Sequence, residues 1–278
     1  FKHPYVIKNL YDWARWFIET TGIQGFRLDA VKHIDSFFMA NFIRDILQEY
    51  GDDFYVFGEF WNNDEAANND YLENIDYRFD LVDVKLHTNL FEASQKGDEF
   101  DLRTIFDHTL VKNYPESAVT FVENHDTQRG QALESTVEEW FKPAAYALIL
   151  LRESGLPCIF YGDYYGINGE FAQQDFREEI DKLLDLRLNL AYGEETDYFD
   201  DPNCIGWTRA GQEGSQPIAV LISNATSTSK RMYFGQDWSG HECSDYLGNC
   251  QTIVTIDEEG WGEFPVEEQS VSVWSIKN

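Results

Sequence analysis

Short apolar stretches recur roughly every 25 to 40 residues through the first part of this chain, with helix-patterned segments between most of them. The spacing predicts strands at Gly25–Val31, Asp53–Trp61, Phe79–His87, Ala118–Asp126 and Pro157–Gly162. Between and before them, Val6, Leu10, Trp13 and Phe17 repeat at helical intervals after a first-turn Pro4, with Gly22 as a stop. Phe37–Tyr50, Leu102–Val111, Val137–Ser154 and Phe176–Ala191 read as further helices, the last capped by Asp175. Alternating strands and helices bury strands on both faces, so they assemble as a parallel sheet covered by helices. Near Gly193 the pattern changes. From Cys204 onward only short strands are legible, at Ile205–Arg209, Ile218–Ser223, Lys230–Phe234, Thr252–Ile256 and Ser270–Ile276. Turn residues separate them, which predicts a small antiparallel sandwich and a division into residues 1–193 and 194–278.

The formal charge of -29 over 278 residues argues against nucleic acid or an anionic membrane as partner, since phosphate binding needs clustered Lys and Arg. A neutral substrate is compatible with it. No apolar run approaches the 18 residues of a membrane span. Cys158, Cys204, Cys243 and Cys250 contain no zinc-type pair. Cys158 reads as a buried thiol, and Cys243 with Cys250 could bridge or stay reduced, which leaves the compartment open between cytoplasmic and secreted. Asn224-Ala225-Thr226 is a lone glycosylation triplet.

Charges on the strands carry the functional reading. In Gly25–His33 (GFRLDAVKH), Phe26 and Leu28 point to one face while Arg27 and Asp29 point to the other. An ordinary ion pair satisfies that pattern, and so does a catalytic carboxylate. Two further acids stand at predicted strand ends: Glu59 in Gly58-Glu59-Phe60-Trp61, and Asp126 in Phe121–Asp126 (FVENHD). In parallel α/β folds functional groups collect at the carboxyl ends of strands. Three acids from three strands fit either a metal site or sugar-bond cleavage by paired carboxylates.

The runs GFRLDAVKH, GEFW and FVENHD strongly resemble three of the four signature regions of the α-amylase family, glycoside hydrolase family 13. FYGDYYG (160–166) and EGWGEF (259–264) look like the liquefying-type bacterial members and their intracellular relatives. The resemblance implies the last five strands of a (β/α)8 TIM barrel followed by a β-sandwich, and a retaining mechanism on the internal α-1,4 links of starch or glycogen. Asp29 matches the nucleophile, Glu59 the general acid/base in apolar surroundings from Phe57, Phe60 and Trp61, and Asp126 the third carboxylate, which grips the sugar. Arg27, Lys32, His33, Trp61 and His125 match positions that contact the glucan or the acids. A retaining pair sets its carboxyls roughly 5–5.5 Å apart.

Structural calcium follows by resemblance too, with the backbone carbonyl of His33 as one ligand. A second ion is implied near Asp197 and Asn224, although the relatives carry an acid where Asn224 stands. The first signature region is absent, and five strands are counted where a closed barrel needs eight. The chain opens on Phe1-Lys2-His3-Pro4 without an initiator Met. It is therefore expected to be the C-terminal part of a longer protein, its barrel completed by the same precursor or by another chain. Other family-13 activities, such as an α-glucosidase or a transglycosylase, and a non-catalytic glucan-binding role remain alternatives.

Overall fold

The computed structural model describes residues 2–277. Phe1 and Asn278, the outer limits of the expected division, lie outside the described residues. In chain order the first elements are α1 (Pro4–Thr21), β1 (Gly25–Leu28), α2 (Ser36–Tyr50), β2 (Tyr55–Gly58), α3 (Glu65–Asn74) and β3 (Asp80–Val82). Next come α4 (Val84–Lys96), α5 (Leu110–Asn113), β4 (Ala118–Phe121), α6 (Lys142–Leu150), β5 (Leu156–Cys158), α7 (Tyr161–Tyr165) and α8 (Arg177–Asn189). Strands then follow, with a 3₁₀ turn at Gln236–Trp238 among them: β6 (Glu195–Asp201), β7 (Cys204–Arg209), β8 (Ile218–Ser223), β9 (Thr228–Tyr233), β10 (Glu242–Asp245), β11 (Val254–Thr255), β12 (Trp261–Val266) and β13 (Ser270–Ile276). The five strands of the first sheet succeed one another in chain order, the arrangement of part of a (β/α)8 barrel.

Two compact units divide the chain. One holds the residues up to Leu86 together with His108–Thr120, and the other holds His87–Asp107 and everything from Phe121 onward. In the first unit, β1 pairs parallel with β2 from Gly25↔Tyr55 to Leu28↔Gly58, β2 with β3 at Phe57↔Asp80, and β3 with β4 at Leu81↔Ala118. The Asp35 carboxylate caps α2 by accepting from Phe38 N–H at 2.9 Å, and Met39, Phe42, Ile43 and Ile46 bury one helical stripe. The apolar stripe read in α1 does not bury in the same way. Ala14 and Ile18 are its buried residues, while Trp13 and Trp16 are 49% and 58% exposed. Leu10 and Trp13 instead line an apolar groove of about 260 Å³ with Phe26, Leu28 and Phe38, a groove that reaches Arg27 and Asp29.

The second unit contains an antiparallel sheet ordered β11-β10-β13-β8-β7-β6 and the β12–β9 pair. Leu221, Met232, Cys243, Phe264 and Trp274 form the core of this sandwich. In α6 every residue from Ala144 to Leu150 is buried, so the helix is apolar all round and lies inside the unit. Arg152 joins two parts of the sequence there. Its guanidinium lies 4.8, 5.4 and 5.5 Å from the rings of Phe106, Phe199 and Trp207, and it is paired with Glu195 and Asp197.

Several expectations need correction. The stretch read as a strand over Phe79–His87 is strand only at Asp80–Val82. Buried Asp83 accepts from Leu86 N–H at 3.0 Å and starts a helix, whose Leu86, Leu90 and Ala93 face inward. Leu102–Val111 is not one helix but a 3₁₀ turn at Leu102–Thr104 followed by α5. The strand expected at Pro157–Gly162 stops at Cys158, and Tyr161 opens α7. No side chain caps α8, which begins after Phe176 rather than on Asp175. Cys158, on the last strand in the sheet order, is exposed, and the other three cysteines are buried free thiols, so Cys243 and Cys250 do not bridge. The sandwich also has β6, β10 and β12. Charged residues in all three masked the alternation that marks a half-buried strand.

Candidate active site

The turn after β1 and the end of β2 build the first half of the site. Strand alternation brings Arg27 and Asp29 to one face, where Arg27 Nη1 donates to Asp29 Oδ1 at 3.1 Å. Its other terminal nitrogen, Nη2, donates to Glu59 Oε2 at 3.2 Å. One guanidinium fork thus serves two carboxyls. The two backbones are locked at the same level, since Glu59 N–H donates to the Leu28 carbonyl at 2.8 Å and Val31 N–H to the Glu59 carbonyl at 3.0 Å. Gly58 permits this closeness: a Cβ there would lie 2.7 Å from the Phe79 ring and 3.3 Å from Val31.

Between them Ala30 takes the left-handed conformation, φ 49° and ψ 40°, which costs a non-glycine residue about 1 kcal/mol or more. That strain aims Ala30 N–H at Glu59 Oε2, 3.3 Å away. Sequence reasoning missed this contribution, because an alanine gives no sign of a positive φ.

The two acids occupy different environments. The Asp29 side chain is 72% exposed and that of Glu59 9%. Burial raises the Glu59 carboxyl above its ordinary value; the Ala30 N–H opposes this, a hydrogen bond with Asp29 raises it further, and the Arg27 charge lowers it. Lys32 Nζ donates to the Trp61 carbonyl at 3.1 Å, which ties the segment after β1 to that after β2. Exposed His33 ends the 3₁₀ turn Val31–His33, and Trp61 is half-buried.

In the second unit β4 ends at Phe121, and Asp126 follows in a turn rather than in the strand. Asn124 makes the turn: its Oδ1 accepts from Asp126 N–H at 2.8 Å and from Thr127 N–H at 3.0 Å. His125 Nε2 lies 3.3 Å from Asp126 Oδ2, with His125 exposed and Asp126 half-buried.

The sequence profile described as "Alpha amylase, catalytic domain" matches residues 1–216, and the one described as "Alpha-amylase C-terminal" matches residues 218–275. The chain belongs to the α-amylase family of glycoside hydrolases. It is 44% identical over 277 residues to a glucan 1,4-alpha-maltohexaosidase of Bacillus sp. (strain 707), covering 99% of this chain and 53% of that protein. An alpha-amylase of Geobacillus stearothermophilus is 44% identical over 274 residues, covering 98% of this chain and 50% of the relative. The chain therefore spans about half the length of these curated relatives. Among solved structures, the alpha-amylase of Geobacillus thermoleovorans complexed with acarbose superposes with a TM-score of 0.72 at 24% identity, covering all of this chain and 65% of that one.

Members of the α-amylase family with calcium hold it through several oxygens, and here the cation readings meet competition. Asp197 accepts from Arg152 Nη1 at 2.7 Å and Nη2 at 3.1 Å. Asn224 Nδ2 donates to the carbonyls of Gly97 and Phe100, and its Oδ1 accepts from Asn203. A cation at this point would have to displace an arginine already seated on the carboxylate. Among the described residues no three His, Cys, Asp or Glu side chains gather as a ligand set. His33 is left to offer its backbone carbonyl alone.

The sequence reading also missed a buried group next to the Asp126 turn. Lys142, at the start of α6, is fully buried against Glu123, Asp163 and Gln173. A lysine at a helix start ordinarily reads as solvated.

Proposed function

We propose that this chain carries the acids of a retaining endo-hydrolase acting on internal α-1,4-glucosidic bonds of starch- or glycogen-type glucans. Asp29 is assigned as nucleophile, attacking the anomeric carbon to form a covalent glycosyl intermediate. Glu59 protonates the leaving oxygen and then activates the water that releases the sugar. Asp126 binds sugar hydroxyls and stabilises the oxocarbenium-like transition state, with His125 beside it on the same turn. Arg27 orients the acid pair, and Lys32, His33 and Trp61 contact the glucan.

The observation that carries this reading is the unequal pair held by Arg27. A nucleophile must be reachable, and Asp29 is exposed. A general acid must keep its proton near neutral pH, and Glu59 is buried with its carboxyl raised by that burial. One guanidinium reaching both carboxyls, at 3.1 and 3.2 Å, supports the close spacing of a retaining pair. Calcium enters no step. The residues at Asp197 do not fit a cation, and any ion held partly by the His33 carbonyl would supply structural order only.

The activity is proposed for a complete barrel, because the five parallel strands here are fewer than the eight of a closed one. The decisive experiment is product analysis on starch with a protein containing this chain and the remaining strands. Mixed maltooligosaccharides support the reading. Glucan binding without turnover, glucose alone, or longer transfer products would each replace it with one of the alternatives. Asp29→Asn and Glu59→Gln in that protein are each expected to lower turnover by several orders of magnitude, and far from additively.

A further inference from the structure

The buried group behind the Asp126 turn carries more charge than it balances. Lys142 Nζ donates to Glu123 Oε2 at 2.5 Å, to Asp163 Oδ1, and to Gln173 Oε1 at 3.0 Å. Tyr146 O–H donates to Asp163 Oδ2 at 2.6 Å, and Gln173 Nε2 donates to Asp163 Oδ1 at 2.7 Å. The Phe176 ring closes another side, 5.6 Å from the ammonium. One cation thus faces two carboxyls in a place shut off from solvent, where a surplus charge is strongly disfavoured.

The carboxyls are not alike. Both oxygens of Asp163 receive donors, whereas Glu123 Oε1 is buried and has no hydrogen-bond partner among the described residues. Thr136, buried nearby, is a hydroxyl close enough to this carboxyl to lower it, by favouring the ionised form. A hydroxyl has one proton to give, and here Thr136 gives it to the Thr127 carbonyl at 3.2 Å. Thr127 closes the turn that bears Asp126: its hydroxyl accepts from Asn124 N–H at 2.9 Å, and its N–H donates to the Asn124 side chain.

We propose that Glu123 is a positioning residue for the turn Asn124–Thr127, acting through the Thr136 hydroxyl. Protonated, Glu123 leaves that hydroxyl to the Thr127 carbonyl and can itself donate to the Thr136 oxygen. When Glu123 loses its proton to solvent, the bare Oε1 competes for the Thr136 proton, and the Thr127 carbonyl gives up one of two donors, keeping the Ser135 N–H at 2.9 Å. Burial, opposed by the Lys142 charge and reinforced by Asp163, pushes the Glu123 carboxyl up to about 7, so both states are accessible near neutrality. His87, bonded to the Val122 carbonyl just before Glu123, is pushed down to about 4 and stays neutral over that range. The bearing on catalysis rests on Asp126 gripping the sugar; the coupling itself does not.

The test is a pH titration by NMR of a protein containing this chain and the remaining barrel strands, following the backbone amides of Asp126 and Thr127 and the carboxyl carbon of Glu123. Wild type should show all three moving together with a midpoint near 7. Glu123→Gln should lose that component of the amide response. Thr136→Val should keep the Glu123 titration but lose its transmission to the amides. His125 is the same in all three proteins, so its contribution cancels in the differences. Amides that respond equally in Glu123→Gln, or that still follow Glu123 in Thr136→Val, overturn the proposal. If Glu123→Gln fails to fold, the Thr136→Val comparison decides alone. Starch cleavage plays no part in the readout, so a wrong assignment of activity and a wrong assignment of Glu123 give different results.

Discussion

Replacing His87 with Gln should flatten the acid side of the stability profile. His87 is almost fully buried, with its ring stacked 5.0 Å from Phe121. Nδ1 lies 2.8 Å from the Val122 carbonyl, which only accepts, so Nδ1 holds the proton and Nε2 accepts from Ser135 Oγ at 2.8 Å. Burial pushes the imidazole down to about 4 from its usual 6.5. Above 6.5 neither folded nor unfolded chain protonates this ring, and it contributes no pH dependence. Between 6.5 and 4 the unfolded state takes a proton that the folded state refuses, so stability falls as pH falls. At about 1.4 kcal/mol per pH unit, the loss from pH 6.5 to 5 is about 2 kcal/mol, and about 3 kcal/mol when pH 4 is reached.

Urea unfolding followed by tryptophan fluorescence at pH 7 and pH 5 measures this, because Trp140, Trp207, Trp238, Trp261 and Trp274 lie in the same compact unit as His87. Glu123 works in the opposite direction. Its raised carboxyl holds a proton in the folded state that the unfolded chain releases, so its contribution is lost as pH rises towards about 7. The decisive quantity is therefore the difference between variant and wild type. His87→Gln should lose less stability than wild type on going from pH 7 to 5, by about 2 kcal/mol. Equal pH dependence in the two proteins would show that the ring is protonated in the folded state, or that it is not closed off from water.

Three further outcomes follow from the same geometry. Gly58→Ala should destabilise by about 1–3 kcal/mol in thermal melts, since its Cβ would sit 2.7 Å from the Phe79 ring, and an unchanged melting point would mean that the ring yields freely. In a carboxyl-carbon NMR titration, Arg27→Met should move the Glu59 midpoint up and Asp29→Asn should move it down, because the cation lowers and the neighbouring acid raises it; shifts of the same sign would contradict the shared fork. A thiol reagent should label Cys158 in the native chain and all four cysteines only in denaturant, whereas rapid native labelling of Cys243 or Cys250 would contradict their burial.

The acid positions were legible because strand alternation and strand ends are local properties. Arg27 and Asp29 two residues apart must share a face, and Glu59 and Asp126 stand beside runs that had to be buried. Less was legible where one pattern served two structures. Val84-Lys85-Leu86-His87 alternates like a strand, yet Asp83 supplies a helix cap and the buried spacing becomes helical. The sandwich strands β6, β10 and β12 carry charges that are paired or exposed, and their apolar alternation was too weak to read alone.

The sequence by itself determined the order of elements, the change to an all-β region near Gly193, and the placing of Asp29, Glu59 and Asp126 in the segments after β1, β2 and β4. Tertiary structure alone decided which cations those acids meet and which protons they keep. Arg27 divides its fork between Asp29 and Glu59, Arg152 occupies Asp197, and Lys142 settles between Glu123 and Asp163. The physical reason is that ionisation depends on burial and on charges a few ångströms away, and those neighbours are 19 to 45 residues distant along the chain at Lys142–Glu123 and Arg152–Asp197.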